Sequence, residues 1–390
     1  MQNSCHVIRV VHIINGLNSG GAERMLVNFV LQTDSNCINN TVVSLTGFGM
    51  WGEVLVKNGI QTIALNLDFS LKSLTKLLSL CKTLLKIKPN ILQTWMHHSN
   101  FLGTILGKLL SIPLIIWNIR CSHVIGSYYS SSSRVIFKLT NYLSGMPAAI
   151  ITNSYAGKQD HEKTGYRAKA WVYMPNGFDV NKFCPSQDKR DAFRKDFCIR
   201  PEEFVVGMIA RYDPMKNHAG FLRGAVKFIQ HYPNSKFVLV GKNIKKENKE
   251  LVALLADVDL DKHFIFLGER KDIENIIPAL DVLSLFSLFG EGFPNVIGEA
   301  MSCGITCVAS DVGDAKVVIG DTGFIVTKND VDALVEAWEK IIKLNKQQRI
   351  ELSALARKRI LENFDLKDIA NRYHDFYKTL FEQGQIKYCI

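Results

Sequence analysis

The sequence lacks any apolar run long enough to cross a lipid bilayer. Its longest apolar stretch, residues 101–117, is interrupted by Lys108 and Pro113, whereas a transmembrane helix needs about 20 apolar residues. The start of the chain also lacks the basic and then apolar segments of a secretory signal. Both absences lead us to expect a cytoplasmic protein.

Cysteine spacing gives no sign of a disulfide framework or a metal site. The nine cysteines are scattered, and no two of them form a Cys-x-x-Cys pair. Clustered spacing is the usual signature of disulfide-rich domains and zinc ligands. We therefore expect reduced thiols and no zinc site.

Composition and charge indicate a globular chain with an anionic partner. Hydrophobic residues make up 47% and charged residues 22% of 390 residues, which excludes a disordered or fibrous chain and suits two domains. Residues 1–185 contain 17 Lys and Arg but only 7 Asp and Glu, so the whole net charge of +10 lies there. Such a basic surface suits nucleic acid, a membrane face or an acidic substrate.

Short apolar runs alternate with longer amphipathic segments, beginning at residues 7–14 and restarting at 204–209. This alternation is typical of parallel sheets covered by helices on both faces. We therefore predict two Rossmann-like α/β domains that face a central cleft, because ligands bind at the carboxyl ends of such strands.

A break at Pro175, Asn176 and Gly177 and the polar segment after it indicate a linker. The predicted domains are residues 1–182 and 188–365. A final helix within 366–390 could pack back across the first domain, and a long helix is predicted over 246–258.

A glycine-rich turn follows the first predicted strand, in the segment NGLNSGGAER (residues 15–24). Gly20 and Gly21 permit close backbone approach and expose amides at a helix start, where a phosphate can bind. Ser19 could add a hydroxyl. A tight structural turn is the alternative, since the segment is neither a Walker loop nor a complete dinucleotide fingerprint.

Two cations follow the first strand of the second half, in ARYDPMK (residues 210–216). Arg211 as a planar fork and Lys216 as a point charge suit a diphosphate at the end of that strand. A solvated loop with two bases is the alternative.

The strongest signal is EGFPNVIGE (residues 291–299), between a predicted strand at 282–286 and a helix from Asn295. Glu291 on the loop can hold sugar hydroxyls, and Glu299, one turn inside the helix, can reach a ribose. The amides of residues 292–296, except that of Pro294, would meet a diphosphate at the helix N-terminus.

The Glu-x7-Glu spacing, the GGAER segment and the Arg/Lys pair together make the chain similar, nearly end to end, to the family-four retaining glycosyltransferases of the GT-B fold. The resemblance implies transfer of a sugar from a nucleoside diphosphate, for which we expect UDP, to an acceptor hydroxyl with retention. It further implies a lipid-linked or membrane-bound glycan acceptor in polysaccharide, lipopolysaccharide or glycoprotein assembly.

The resemblance also assigns roles to residues. Arg211 and Lys216 would neutralise the leaving diphosphate. Glu291 would bind the transferred sugar, and Glu299 the ribose. The other donor-binding residues that it implies are Gly20, Gly21, Gly268, Ser287, Gly292, Phe293, Asn295 and Val296.

Family members carry a histidine after the fourth strand, near the sugar. The segment WMHHSN (residues 95–100) offers two candidates; we assign His98 to the catalytic site and His97, with Ser19, to the acceptor. Packing beside the sheet edge is the alternative for either histidine. Arg120, after the fifth strand, either contacts an acceptor phosphate or pairs with an acid.

Departures from the family occur at Gly313, Asp314 and Lys316, where Gly-Gly and an acid are expected, so the nucleotide contacts there stay open.

A metal site is a further possibility at Asp257, Asp259 and Asp261, since overlapping Asp-x-Asp binds Mn²⁺ or Mg²⁺ in other sugar transferases. These acids lie far in sequence from the phosphate-binding residues, and we interpret them as a solvated turn. Because Arg211 and Lys216 supply positive charge, we predict metal-independent transfer without a cofactor.

Residues 71–88 combine leucines with lysines spaced four apart, at Lys72 and Lys76 and again at Lys82 and Lys86. Packing on the sheet accounts for the leucines, and the lysines would form a basic helix edge. We expect reversible contact with an anionic membrane at its cytoplasmic face. No nucleic-acid partner is expected, because no reading motif is present.

Two alternative functions remain. An epimerase of the same fold would convert or hydrolyse a nucleotide sugar without an acceptor. A non-catalytic glycan-binding protein would not need Glu291, Arg211 and Lys216, all of which are present.

Overall fold

The computed structural model describes residues 7–18, 20–68, 72–122, 131–255 and 258–388. The chain divides into two compact units, Met1–Gly177 with Leu366–Ile390, and Phe178–Asp365. The boundary therefore falls at Gly177, inside the predicted break, rather than at residues 183–187. The final helix belongs to the first unit.

The first unit contains a parallel sheet, which over the described residues has seven strands in the order β3-β2-β1-β4-β5-β6-β7. The strands are β1 (Ile8–Ile14), β2 (Ile38–Ser44), β3 (Gln61–Ala64), β4 (Ile91–Trp95), β5 (Leu114–Ile119), β6 (Ala149–Thr152) and β7 (Trp171–Tyr173). The helices are α1 (Gly21–Gln32), α2 (Gly49–Lys57), α3 (Lys72–Ile87), α4 (His97–Leu109), α5 (Ser131–Leu143), α6 (Tyr155–Lys163) and, at the chain end, α16 (Leu366–Tyr388).

Helix α16 completes the core of the first unit. The rings of Tyr373 and Tyr377 are fully buried, and Tyr373 packs on Phe29 of α1 with the ring centroids 4.5 Å apart. The Tyr377 hydroxyl donates to the buried Gln93 side chain of β4. Because these aromatic side chains leave water only when α16 is docked, we expect its removal to unfold the first unit.

The second unit is also built on a parallel sheet, with six strands in its described part in the order β10-β9-β8-β11-β12-β13. The strands are β8 (Phe204–Ile209), β9 (Ser235–Val240), β10 (Phe264–Phe266), β11 (Val282–Leu285), β12 (Thr306–Ser310) and β13 (Phe324–Val326). The helices are α7 (Gln187–Asp196), α8 (His218–His231), α9 (Lys249–Ala253), α10 (Leu260–His263), α11 (Ile273–Ile276), α12 (Asn295–Ser302), α13 (Ala315–Ile319), α14 (Val331–Ile342) and α15 (Lys346–Asn363).

Both sheets are Rossmann-like, and the strand order reverses between β1 and β4 in one and between β8 and β11 in the other. The predicted fold class is therefore confirmed for each unit. Strands of this kind are buried on both faces, which explains their continuous apolar runs.

One helix was not predicted, and another was predicted too long. The segment after Pro185 is not only linker, because Ser186 caps α7 by accepting a hydrogen bond from Lys189 N at 3.3 Å. The helix predicted over 246–258 is shorter, because α9 begins after the cap Asn248 and ends at Ala253.

Helix α3 buries only part of its leucine content. Leu80 and Leu84 lie in the core, whereas Leu74, Leu78 and Leu85 are exposed. Packing on the sheet therefore does not account for all of its leucines, contrary to our expectation. No helix in the described part of the chain combines the length and apolarity that crossing a membrane requires.

Candidate active site

Lys216 and Glu291 form a part-buried ion pair at the carboxyl edge of the second sheet. Lys216 follows β8 and Glu291 follows β11, the two strands between which the strand order reverses. Lys216 Nζ donates to Glu291 Oε1, and the side chains are only 15% and 9% exposed. Ligands of open parallel sheets bind at this reversal point. The structure thus joins residues from two separate predicted motifs there.

Hydrogen bonds fix the loops that carry this pair. Ser287 Oγ donates to Glu291 Oε1 at 2.5 Å, and Leu288 N donates to the Met215 carbonyl at 2.8 Å. Ser310, the last residue of β12, donates to the Ser287 carbonyl at 2.6 Å. Groups from three strand ends therefore hold the Glu291 carboxylate in place.

Helix α12 begins at Asn295, four residues after Glu291. Its cap is Pro294, which has no side-chain oxygen to neutralise the helix start, so this end keeps the partial positive charge that attracts anions. Gly292 accepts from Asp314 N at 2.8 Å. Gly313 has φ +62, and a Cβ there would overlap the Glu291 carbonyl. Glycine is therefore required where the β12 loop crosses this segment.

Three of the predicted donor-binding side chains are wholly or partly buried: Glu299, Phe293 and Val296. Glu299 is buried in the second turn of α12. The Phe293 ring packs against Phe178 and Phe364, with centroids 6.1 and 5.5 Å apart, and Val296 packs on the same core. The Phe293 and Val296 side chains thus support the loop from the core side, and Glu299 stays a predicted ribose ligand.

Arg211 lies near Lys216 but is 59% exposed, and its Nε donates to Asp213 Oδ2 at 3.0 Å. Burial alone would raise the pKa of Asp213, but hydrogen bonds from Met215 N and Arg211 outweigh it and lower that pKa. Gly268, with φ +64, follows β10 and accepts from Gly241 N at 2.7 Å. Both predicted residues therefore lie at the same edge of the sheet as the ion pair.

In the first unit, Gly20 ends the glycine-rich loop and Gly21 begins α1. The Glu23 carboxylate folds back so closely that a Cβ on Gly20 would overlap it, and burial raises the pKa of Glu23. An acid of the chain itself thus lies at the helix start where we predicted a phosphate. Ser19 lies outside the described residues.

The two predicted histidines have different surroundings at the start of α4. His98 is half-buried, its Nδ1 lies 3.5 Å from Asn15 Nδ2, and burial lowers its pKa. Asn15, at the end of β1, also accepts hydrogen bonds from Ser99 N and Oγ at 3.1 and 2.7 Å. His97 instead packs beside His161, with ring centroids 5.4 Å apart. Of the two, His98 is therefore the one beside the glycine-rich loop.

Arg120 follows β5, and none of the described residues that contact it is acidic. Its Nε donates to Asn118 Oδ1 at 2.8 Å, and its terminal nitrogens donate to Asn176 and to the Tyr373 hydroxyl. The guanidinium also lies over the Trp95 ring, 5.1 Å from its centroid. Burial lowers the pKa of Arg120. No acid partner is thus seen in the described part of the chain, where this part-buried cation contacts only neutral side chains.

The two described acids of the segment 257–261 do not share a common partner. Asp259 caps α10 by accepting from Lys262 N at 3.1 Å, and Asp261 pairs with Lys246 at the surface. Asp257 lies outside the described residues. The described acids of this turn thus face different partners.

Several residues of these sites carry no role in our sequence predictions. Asn15 stands in the glycine-rich motif, and its position at the end of a strand could have drawn attention to it. Ser310 ends β12 in the same way. Tyr373 gives no such signal, because it is 253 residues away from Arg120 in the chain.

Comparison with protein families and curated proteins identifies relatives. Residues 189–359 match the family model described as Glycosyl transferases group 1. Over 82% of both chains, the protein is 29% identical to the Escherichia coli UDP-Gal:alpha-D-GlcNAc-diphosphoundecaprenol alpha-1,3-galactosyltransferase. It is also 24% identical to the Staphylococcus aureus capsular polysaccharide biosynthesis glycosyltransferase CapM, over 81% of this chain and 83% of that protein.

Solved structures share the fold. The Anabaena protein HepE in complex with UDP superposes with a TM-score of 0.83 at 21% identity, covering 95% of this chain and all of the other. The same protein in complex with UDP-glucose gives a TM-score of 0.80. These matches confirm the two Rossmann-like units of the GT-B fold.

Proposed function

We propose that this chain, whose residues 189–359 match the model of the glycosyl transferases of group 1, moves a hexose or an N-acetylhexosamine from a UDP-sugar to a hydroxyl of a lipid-linked glycan with retention. The observation that carries the proposal is the part-buried Lys216–Glu291 pair beside the start of α12. A cation and a helix N-terminus are the groups that stabilise a diphosphate. A fixed carboxylate next to them suits the hydroxyls of the attached sugar.

The chemistry follows from where charge develops. The bond from the anomeric carbon to the phosphate oxygen breaks, the bond to the acceptor oxygen forms, and the acceptor proton passes to the leaving phosphate. Lys216 and the α12 amides stabilise the growing phosphate charge, and preorganised groups of this kind are worth roughly 2.7–4 kcal/mol. Because these groups supply the positive charge, we propose that transfer needs no metal ion or other cofactor.

The acceptor part of the proposal rests on Arg120. Among the described residues, its guanidinium has three neutral hydrogen-bonding partners and an aromatic neighbour, and a bound anion would give it a countercharge. A lipid diphosphate supplies that anion, and the E. coli relative has a diphosphoundecaprenol acceptor by name. His98 and Asn15 would contact the sugar of the acceptor or the transferred hexose.

Helix α3 provides a membrane contact suited to such an acceptor. Three exposed leucines, Leu74, Leu78 and Leu85, lie on a helix that also carries Lys76, Lys82 and Lys86. Apolar side chains flanked by lysines bind anionic lipid surfaces. We propose that the protein acts at the cytoplasmic face of the membrane.

The test is transfer by the full chain with UDP-galactose, UDP-glucose or UDP-N-acetylglucosamine and an undecaprenyl-diphosphate-linked sugar in vesicles containing anionic lipid. We expect product only when both substrates are present, with an equatorial anomeric proton by NMR, as in the donor, and an undiminished rate in EDTA. Consumption of the donor without acceptor, into an epimer or free sugar, would favour the epimerase instead. Donor binding without any product would favour a glycan-binding protein.

A further inference from the structure

Three metal-ligating side chains converge in the first unit. They are His97 at the start of α4, Cys121 after β5 and His161 on α6. One ligand atom from each residue can be chosen so that all three lie within 4.8 Å of one another. Separations of this size allow one ion to touch all three after small side-chain rotations, given metal–ligand bonds of about 2.0–2.3 Å.

The tautomer of His161 leaves a nitrogen free to bind. His161 Nδ1 lies 2.7 Å from the Gly157 carbonyl, one helical turn earlier, so it carries the proton and donates it. The other nitrogen, Nε2, is buried and has no hydrogen-bond partner in the described structure. Zinc-binding histidines commonly have this arrangement, in which one ring nitrogen donates to a carbonyl and the other binds the ion. Without an ion, this buried acceptor stays unpaired, which is unfavourable.

His97 completes a nitrogen and sulfur ligand set. Its Nε2 lies 3.5 Å from Cys121 Sγ, and its Nδ1 lies 3.3 Å from the Tyr166 hydroxyl, which can accept the Nδ1 proton when Nε2 binds an ion. The Phe137 ring packs edge-on against His97 with centroids 5.1 Å apart. The site thus has an apolar wall formed by Phe137 and a hydroxyl that orients His97, while His97 and Cys121 remain partly exposed.

We propose that His97, Cys121 and His161 bind one zinc ion, with water in the fourth position. Two imidazoles and a thiolate form a borderline-soft ligand set that suits tetrahedral Zn²⁺ and disfavours Mg²⁺ or Ca²⁺. Both histidines would bind as neutral imidazoles through Nε2. The ion displaces the proton of Cys121, and the thiolate and water complete its coordination.

The position of the ion suggests what it does. His97 immediately precedes His98, and Cys121 immediately follows Arg120. A zinc ion on these ligands ties the start of α4 to the end of β5 and so positions both proposed acceptor residues. The zinc ion would lie in the first unit, whereas the groups proposed to neutralise the donor diphosphate lie in the second. A zinc ion here therefore does not conflict with the proposal that transfer needs no metal ion at the diphosphate.

The test is zinc content of the full chain after exposure to Zn²⁺ alone and dialysis. We expect about one zinc per chain in the unaltered protein, and affinity reduced at least about tenfold in Cys121→Ser and His161→Gln. The matched controls Cys81→Ala and His374→Gln, which change a cysteine and a histidine of the same unit, should keep the zinc. Equal zinc content in Cys121→Ser and the unaltered protein would overturn the proposal.

A second measurement avoids any folding defect of the variants. Alkylation of the unaltered protein, mapped by mass spectrometry, should be slowed at Cys121 by Zn²⁺ and restored by a chelator, while Cys81 reacts alike in both states. Cobalt substitution should add a thiolate-to-metal absorption band that Cys121→Ser lacks. Unchanged alkylation of Cys121 on zinc addition would contradict the site, whatever the transferase assay shows.

Discussion

Replacing Lys216 with methionine separates catalysis from stability at the ion pair. Methionine keeps most of the side-chain volume and removes only the charge. We expect kcat to fall about 100- to 1,000-fold, as for loss of one preorganised donor to a developing charge, or roughly 2.7–4 kcal/mol. Breaking a fully buried ion pair costs about 3–5 kcal/mol of stability. Lys216→Met should cost less than this, because Ser287 still donates a hydrogen bond to the Glu291 carboxylate.

The double variant Lys216→Met with Glu291→Gln tests this reasoning. Glutamine removes the carboxylate left without its cation, so the double variant should regain much of the stability that Lys216→Met loses. It should regain none of the turnover, because the diphosphate still lacks its lysine. Hydrogen exchange of second-unit peptides measures the stability, and initial rates at saturating donor measure kcat.

Lys227→Met serves as the control for charge removal in the same unit. Lys227 pairs with Asp332 at the surface, where both side chains are well exposed. Exposed pairs contribute at most about 1 kcal/mol, and turnover should stay normal. Recovery of kcat together with stability in the double variant would refute a direct role of Lys216 in catalysis.

Three further outcomes are expected. Arg120→Gln should raise KM for a diphosphate-linked acceptor at least about tenfold and leave donor binding unchanged, because removing the guanidinium deletes a charge-assisted contact; an unchanged acceptor KM would exclude the contact. Gly313→Ala should weaken UDP binding, since its Cβ would push the Glu291 carbonyl. Gly59→Ala, also at positive φ but with open space around it, should bind UDP normally; an equal loss of UDP affinity in both variants would point to backbone strain alone. Burial lowers the pKa of His12 to about 4, below the 6.5 of an unfolded histidine, so the unfolded state binds more protons between these two values. As the pH falls from 6.5 to 4, His12 should therefore lower the free energy of unfolding of the first unit by about 1.4 kcal/mol per pH unit. His12→Gln should flatten the pH dependence of urea midpoints followed by tryptophan fluorescence, and an unchanged slope would contradict this.

The strands were readable from the sequence because both faces of a parallel sheet are buried. The continuous apolar run at 204–209, for example, coincides with β8. The helix α7 was missed because its residues are mostly charged, so its capping serine, and not its hydrophobic pattern, marks it. A capping residue alone is a weak signal for a helix in a single sequence.

The candidate site was only partly readable. Lys216 and Glu291 could be placed at the ends of their strands, and the strand order of the fold makes those ends neighbours. Phe293 was predicted to bind the donor, and the sequence did not reveal that its ring packs against Phe178 in the core beneath the loop. The contacts of Arg120 with Tyr373, and of His97 with Cys121 and His161, join distant segments, and no local pattern reveals them.

The most direct measurement is a crystal structure of the full chain with a UDP-sugar. We expect the diphosphate oxygens within hydrogen-bonding distance of Lys216 Nζ and of the amides at the start of α12, with sugar hydroxyls on Glu291. A diphosphate bound elsewhere, with Lys216 and α12 facing away from it, would contradict the proposed function.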